Sequence, residues 1–599
     1  MNRFTVTSKV LALTLAVAAT SCGFGKKKED KEKDLPPPAA GYMVDTGFRP
    51  NKHGFAFENS GGNFPRTPGI VDTNTVVKMF GKDACVGGAT QKCKLTPPAA
   101  EWAAMVNRAM NGGRCEGMAV AALTMFQQID KPSTYGKGAT SARNVNQQAV
   151  TPLIGYYWAW QTVNPTLRDR NNELRNTTPA QSLDKLVTML KAKQLATIAI
   201  FTSGPPRSGH AVTPYAVEHK GNDVYWVRVY DNNWPDKERY IVIDKKANTW
   251  RYDVAATNPD VPKRPWSGNA STRSLAVVPL ASRLKKAECP FCKSAGKKTV
   301  IPRGASVTIS DSQGRKLGYD ADNKLVNDIP DADVVDLASF VDGAESPEPI
   351  YILPDDQDYD LSIGSTNAKP DDDTEDDDDA TSVAIFSGGS ALSIGRNKRG
   401  AGERDTLSLS KGSDDIRYKT GSGKVPRLRL AMDDDGEGTV VGIRNLKADK
   451  DDEVDLKVDR KEGRVRLQGG GKKTDSYDLK VRRVRADSDD EEVEAKGVKL
   501  GQGESHDIEV RPKKGQKLAV GGKGIKRGKA VPRPKTKGRD VKDSKDSKDV
   551  KDVKDSKDSK SAKDLKDAKD PKKVVIKNDD KREPKKGPPE PKKSLPGRK

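Results

Sequence analysis

Gly112-Gly113-Arg114-Cys115-Glu116-Gly117-Met118 opens directly into the apolar run Ala119 to Phe126. Later in the chain, Ser208-Gly209-His210-Ala211-Val212 begins a β-like run, and the next such run, Val224 to Tyr230, ends in Asp231-Asn232-Asn233. Ala, Met and Leu dominate after Cys115 and no breaker follows Gly117, which predicts a helix from Cys115 to Gln128. A cysteine at a helix start, a histidine at a strand start and a carboxylate at a strand end are the side chains that acyl-transfer chemistry combines. The chain holds four histidines and six cysteines, so few other chemistries are open to it.

Around these strings the periodicity changes once. Trp102, Met105, Val106 and Met110 recur at helical spacing over Ala99 to Met110, and Asn144 to Trp160 also reads as a helix. Thr178-Pro179 supplies an N-cap and a proline at N1 for a helix burying Leu183, Leu186, Val187 and Leu190. Beyond Gln194 the period becomes 2, over Ala196 to Thr202, His210 to His219, Asp223 to Asp231, Arg239 to Ile243, Asn248 to Val254 and Leu275 to Pro279. Helices first and an antiparallel sheet second predict an α+β domain over residues 42–282, with the cysteine helix facing the histidine sheet across a cleft. A hairpin turning at Lys220-Gly221-Asn222 would set His210 opposite Asp231.

A helix N-terminus and a nearby imidazolium both favour the thiolate, the form that attacks acyl carbon. His210 could take the thiol proton and return it to a leaving amine, while Asp231 fixes the tautomer. The strings Gly-Arg-Cys-Glu-Gly-Met-Ala, Gly-His-Ala-Val and Val-Tyr-Asp-Asn-Asn together resemble a divergent bacterial papain-like cysteine hydrolase, of the transglutaminase-like or double-glycine-peptidase-like kind. The resemblance implies a papain-like fold, a helical half plus an antiparallel sheet, in which Cys115 is nucleophile, His210 general base and Asp231 the orienting group, with Asn232 the other candidate for that third place. Papain-like enzymes carry a glutamine six residues before the cysteine. Here that position is Ala109, and Asn111 or Asn107 would have to supply the oxyanion donor.

The substrate class so implied is a protein, peptide or peptidoglycan-type amide. No phosphate loop, Rossmann glycine pattern or metalloprotease helix is present, so no cofactor and no metal is expected. Taken singly, a cysteine in an apolar helix is usually a small buried hydrophobe and a strand histidine usually structural. The competing reading is therefore an inactive surface scaffold or adhesin that binds envelope polymers or proteins through its β-rich parts and tail.

The N-terminus reads as an export signal over residues 1–21: Arg3 and Lys9 precede the apolar stretch Val10 to Ala19, too short to span a bilayer. Ala18-Ala19-Thr20-Ser21-Cys22 resembles the lipobox of bacterial lipoproteins, which implies a lipid on Cys22, a tether over residues 22–41, and a cell-envelope protein held to the membrane by that lipid. Of the other cysteines, Cys85 with Cys93 and Cys289 with Cys292 would pair as disulfides in an exported chain and leave Cys115 odd. A four-cysteine zinc site and reduced states are the alternatives, since Cys289-Pro290-Phe291-Cys292 has metal-knuckle spacing.

Hydrophobic residues make up 34% of the 599 and charged residues 32%, and the division along the chain is sharp. All seven tryptophans lie in residues 42–282. After a CxxC connector, 283–298, come a small β module at 299–365, an acidic linker at 366–380 and a β-rich module at 381–520. Residues 521–599, built on Lys-Asp-Ser and Lys-Asp-Val triplets, lack the apolar side chains to offset their ordering entropy and are expected to be disordered. That tail holds 29 basic and 14 acidic side chains and so carries most of the net +21. Weak contact with polyanions and a passive solvated spacer are the two roles open to it.

Overall fold

The computed structural model describes residues 41–530, apart from 60–68, 204–206, 255–264, 321–323, 341–346, 366–380, 397–402, 422–426, 435, 447–448, 470–474, 511–517 and 519–528. The export signal, Cys22, the acidic linker and nearly all of the tail lie outside the described residues.

The N-terminal half runs β1 (Tyr42–Asp45), α1 (Pro50–His53), α2 (Thr73–Phe80), α3 (Pro97–Ala109), α4 (Cys115–Phe126), α5 (Gln147–Ala159), α6 (Thr166–Asn176) and α7 (Pro179–Lys191). Strands β2 (Ala196–Phe201), β3 (Gly209–His219), β4 (Val224–Tyr230), β5 (Arg239–Asp244), β6 (Thr249–Asp253), β7 (Pro265–Asn269) and β8 (Leu275–Pro279) follow. Thr178 and Gln181 close a reciprocal cap on α7, with Pro179 in its first turn. The strands form one antiparallel sheet in the order β7-β6-β5-β4-β3-β2-β8, with β1 added on β3. Disulfides join Cys85 to Cys93 and Cys289 to Cys292, and Cys115 is the free cysteine among the described residues.

The expected papain-like plan, a helical half facing a sheet across a cleft, is not the one adopted. Among the described residues the chain is mostly β, in three large antiparallel sheets of eight, nine and ten strands, with only seven short helices, and the first sheet curls as a half-barrel. One physical reason is α4. It is apolar on every side and buried from Cys115 to Met125, so it must be covered all round. It lies between β3 and β2 on one side and α5 on the other. Gly117 permits the approach: a Cβ there would come within 2.0 Å of the Ile154 carbonyl oxygen.

The second reason is the C-terminal half. From β9 (Lys297–Arg303) the chain turns at Gly304, in the left-handed region at φ +58°, into β10 (Ala305–Asp311). These two strands enter different sheets. The ten-stranded sheet runs Asp333–Val335, Ile350–Pro354, β9, Thr381–Ser387, Ser390–Arg396, Arg427–Asp434, Glu437–Arg444, Asp475–Arg485, Glu491–Leu500 and Lys529–Ala530. The stretches 299–365 and 381–520 thus share sheets, with β9 paired to Thr381–Ser387 and Tyr359–Ser365 paired to Asp405–Leu409. One face of the ten-stranded sheet, carrying Val300, Val383, Ile385, Leu392 and Leu430, packs against the nine-stranded sheet. The other face, carrying Ile301, Ala384, Phe386, Ala391 and Ala431, joins the core of the N-terminal half, where α3 rests on it.

Lys298, fully buried on β9, pairs with Asp355, which also accepts from Ser387 Oγ at 2.9 Å. Removing one partner leaves a buried charge uncompensated, whereas replacing both by apolar side chains does not. Asp355→Ala is expected to lower stability by about 3 kcal/mol and the double replacement Lys298→Met with Asp355→Leu to change it by less than about 1 kcal/mol, read from melting midpoints.

Candidate active site

Cys115, His210 and Asp231 meet, although they come from the start of α4, the start of β3 and the residue after β4. All three are 0% exposed. Cys115 takes the first helical position because Gly113, at φ +130°, turns the chain sharply out of the preceding 3-10 turn. The first turn of α4 is then fixed by Glu116, which forms a buried ion pair with Arg283. Arg283 in turn donates to Thr197 Oγ1 and to the Val278 and Pro279 carbonyls.

His210 Nε2 lies 2.8 Å from Asp231 Oδ1. Nε2 being committed there, Nδ1 is the nitrogen left for the thiol, and it makes no hydrogen bond. Burial pulls His210 down, but the Asp231 charge, the Cys115 side chain and hydrogen bonds to both outweigh it and raise the imidazole to about 10. Burial works against the Asp231 carboxylate too. The His210 charge, the His210 and Tyr252 hydrogen bonds and the Arg239 charge prevail and hold it below its usual value. Asp231 accepts from the Tyr252 hydroxyl and, at 2.8 Å, from the Asn233 N–H. Arg239 Nε donates to the Tyr252 oxygen at 3.3 Å. A dry ionic pair is thus surrounded by donors that are themselves buried.

The neighbouring positions have other tasks. Asn232 Nδ2 donates to the carbonyls of Cys115 at 3.0 Å and Ala211 at 3.2 Å, so it ties the α4 start to β3 while Asp231 orients the imidazole. Asn107 spends both ends of its amide on the backbone of Val71 and is not an oxyanion donor. The Asn111 side chain lies outside the described residues. The expected register is corrected as well. The pairs run Thr213 with Tyr230 and His219 with Tyr225, around a turn in which Asn222 and Asp223 are both left-handed, with a bulge between Pro214 and Ala216. Asp231 therefore reaches His210 from beyond the strand end rather than from across the ladder.

Three contributors carried no sequence signal. Asn59 accepts from the Arg114 N–H at 2.7 Å and donates to Asn233 Oδ1 at 2.9 Å. Gln161, fully buried after α5, pairs its side-chain amide with the backbone of Ala338. Phe340 sets its ring 5.9 Å from that of His210. The last two show that residues 336–340, from the C-terminal half, complete the walls. None of Cys115, His210 and Asp231 lines the groove of about 300 Å³ between α3 and the ten-stranded sheet, whose walls include Arg303, Arg427, Arg429, Arg444 and Arg482. No group of side chains able to hold a metal occurs among the described residues. No protein-family profile, curated protein or solved structure matches this chain.

The pair makes stability depend on pH with a definite sign. The His210 value is raised above its ordinary 6.5, so its contribution is fully present below about 6.5 and is lost as pH climbs towards 10. The Asp231 value is lowered from 3.8, so its contribution is present above that value and lost as pH falls through the folded one. The melting midpoint is expected to decline from neutral to alkaline pH, and His210→Gln to flatten that limb. Asp231→Ala should cost about 3–5 kcal/mol at neutral pH.

Proposed function

We propose that this chain is a thiol-dependent amide hydrolase or acyl transferase working through Cys115. The observation that carries the reading is the buried His210–Asp231 pair, whose second imidazole nitrogen, Nδ1, makes no hydrogen bond, with the Cys115 side chain close enough to raise the imidazole. In the proposed reaction the sulfur attacks the amide carbonyl and the imidazolium gives its proton to the departing amine as the C–N bond breaks. Water, or another amine, then attacks the thioester with His210 taking its proton, which releases the acyl group and restores the thiolate and the imidazolium. Asp231 holds the ring with Nε2–H bound and Nδ1 turned to the reaction. The Gln161 side chain donates to a backbone carbonyl at 3.3 Å in the Cys115 neighbourhood, the type of donor that stabilises an oxyanion.

Turnover tests this directly, with the full chain incubated with peptide libraries and products read by mass spectrometry. Cys115→Ser is expected to abolish cleavage and His210→Ala to lower it roughly 10²–10⁴-fold. His210→Ala should also slow labelling of Cys115 by a small electrophile. Labelling indifferent to His210, together with no cleavage, would leave an inactive scaffold as the better reading.

We also propose a lipid anchor at Cys22, on the small residues that precede it and the charged, proline-rich tether that follows. A fatty-acid analogue fed to expressing cells should label the protein, and Cys22→Ala should remove the label.

A further inference from the structure

The three buried side chains are shut from solvent by the chain itself. The strands Asp333–Val335 and Ile350–Pro354 form an antiparallel hairpin at the edge of the ten-stranded sheet. From the last pair, Val335 with Ile350, the chain leaves the sheet and runs as Asp336-Leu337-Ala338-Ser339-Phe340 over the start of β3. Ala338 bridges Gly209 in the parallel sense, and the Gly209 carbonyl accepts from the N–H groups of Ser339 at 2.9 Å and Phe340 at 2.8 Å. Gly209 is bare for a reason. A Cβ there would stand 2.4 Å from the Leu337 carbonyl oxygen and 2.5 Å from the Phe201 ring.

The contacts to this strap are mostly to its backbone. Gln161 Oε1 accepts from the Ala338 N–H at 2.7 Å while Nε2 donates to the Ala338 carbonyl, so one side-chain amide acts as a neighbouring strand does. Arg170 donates to the same Oε1 at 3.3 Å and fixes the amide's orientation. Asn59 Nδ2 donates to the Phe340 carbonyl at 3.2 Å, and Asp336 is held by Arg207 at 3.1 Å. Only two side chains face the reacting groups. The Ala338 methyl packs with Cys115 and Ala211, and the Phe340 ring lies edge-on between His210 and Trp266. The Ser339 hydroxyl is buried and finds no partner.

We propose that Asp336–Phe340 occupies the cleft of the Cys115 site in the manner of a bound substrate, so that the site takes an extended polypeptide with a small residue at the sulfur and an aromatic residue two places on, and stays closed until this strap leaves. The proposal rests on the thiol-hydrolase reading for what the cleft is for. Paired main-chain hydrogen bonds from side-chain amides recognise extended backbone whatever its sequence. The methyl-sized space beside Cys115 sets the preference at that one position, and the Trp266–His210 slot sets the other.

The test is the rate at which iodoacetamide alkylates Cys115 in the folded full-length chain. Ser339→Pro removes one of the two N–H groups that donate to the Gly209 carbonyl, and Ala338→Glu sets bulk and charge against the sulfur. Both variants are expected to be alkylated at least tenfold faster than wild type with the overall melt retained. A synthetic peptide of residues 334–342, Val-Val-Asp-Leu-Ala-Ser-Phe-Val-Asp, should slow the variants again, whereas the same peptide carrying Ala338→Trp should not. Variants alkylated at the wild-type rate would overturn the proposal, and so would fast alkylation that the peptide cannot reverse, since that reports general loosening. The two readings fail separately. Peptide protection without any effect of His210→Ala on the alkylation rate keeps the strap and removes the thiol chemistry. An effect of His210→Ala with no effect of either strap substitution does the reverse.

Discussion

Strands β9, Thr381–Ser387 and Ser390–Arg396 of the ten-stranded sheet bury apolar side chains on both faces, and this constraint organises the rest of the molecule. Side chains alternate across a strand, so Val300 and Ile301, or Val383 and Ala384, enter different cores. A strand that buries both faces cannot lie at the surface of a two-layer domain, and it has to be a middle layer. The nine-stranded sheet covers one side and the helices of the N-terminal half cover the other. Val300, Val383, Ile385, Leu392 and Leu430 point to the sheet-on-sheet core, while Ile301 and Phe386 lie on the helix side with Ala384, Ala391 and Ala431. There α3 meets the sheet through Glu101, which accepts from Ser393 Oγ at 2.6 Å and pairs with Arg429 at 3.3 Å.

That arrangement explains how a carboxylate and an imidazole persist with no exposure at all. An isolated charge in such a place would neutralise. Here each charge is the other's partner, and the remaining lone pairs of Asp231 are taken by Tyr252 and the Asn233 N–H. The donors belong to β6 and to the turn after β4, and Arg239 on β5 supports Tyr252. The curled sheet therefore brings several of its strands to one carboxylate. Without the half-barrel curvature those side chains would not converge.

Cys115, His210 and Asp231 were legible because each sits at an element end, where a composition break marks it. The elements themselves were legible for a similar reason: caps such as Thr178 and period-2 runs such as β2 are local facts. What could not be read was which way the faces of 299–520 point. Ile385 and Phe386 are equally apolar in sequence and belong to different cores, so a middle layer looks like two separate modules. The hairpin register failed on a smaller scale, since left-handed Asn222 and Asp223 and the bulge near Tyr215 each displace the ladder without changing the hydrophobic pattern. Gln161 and Asn59 gave no signal because a buried amide serving backbone groups has no periodicity and no motif. Their partners, at Ala338 and Arg114, lie 177 and 55 positions away in the chain.

The strap is rooted in the outermost strands of a sheet, and edges fray before centres. Asp333–Val335 has a partner on one side only, and it is three residues long. The fraction of molecules with an uncovered sulfur therefore follows the local opening of that margin rather than the global stability of the chain. Each change of about 1.4 kcal/mol in that margin shifts the open population tenfold. Whatever adds a strand to Asp333–Val335, or pulls on it, becomes an effector of a thiol it never touches. The control of the site is in this sense mechanical, and it sits in a different half of the molecule from Cys115.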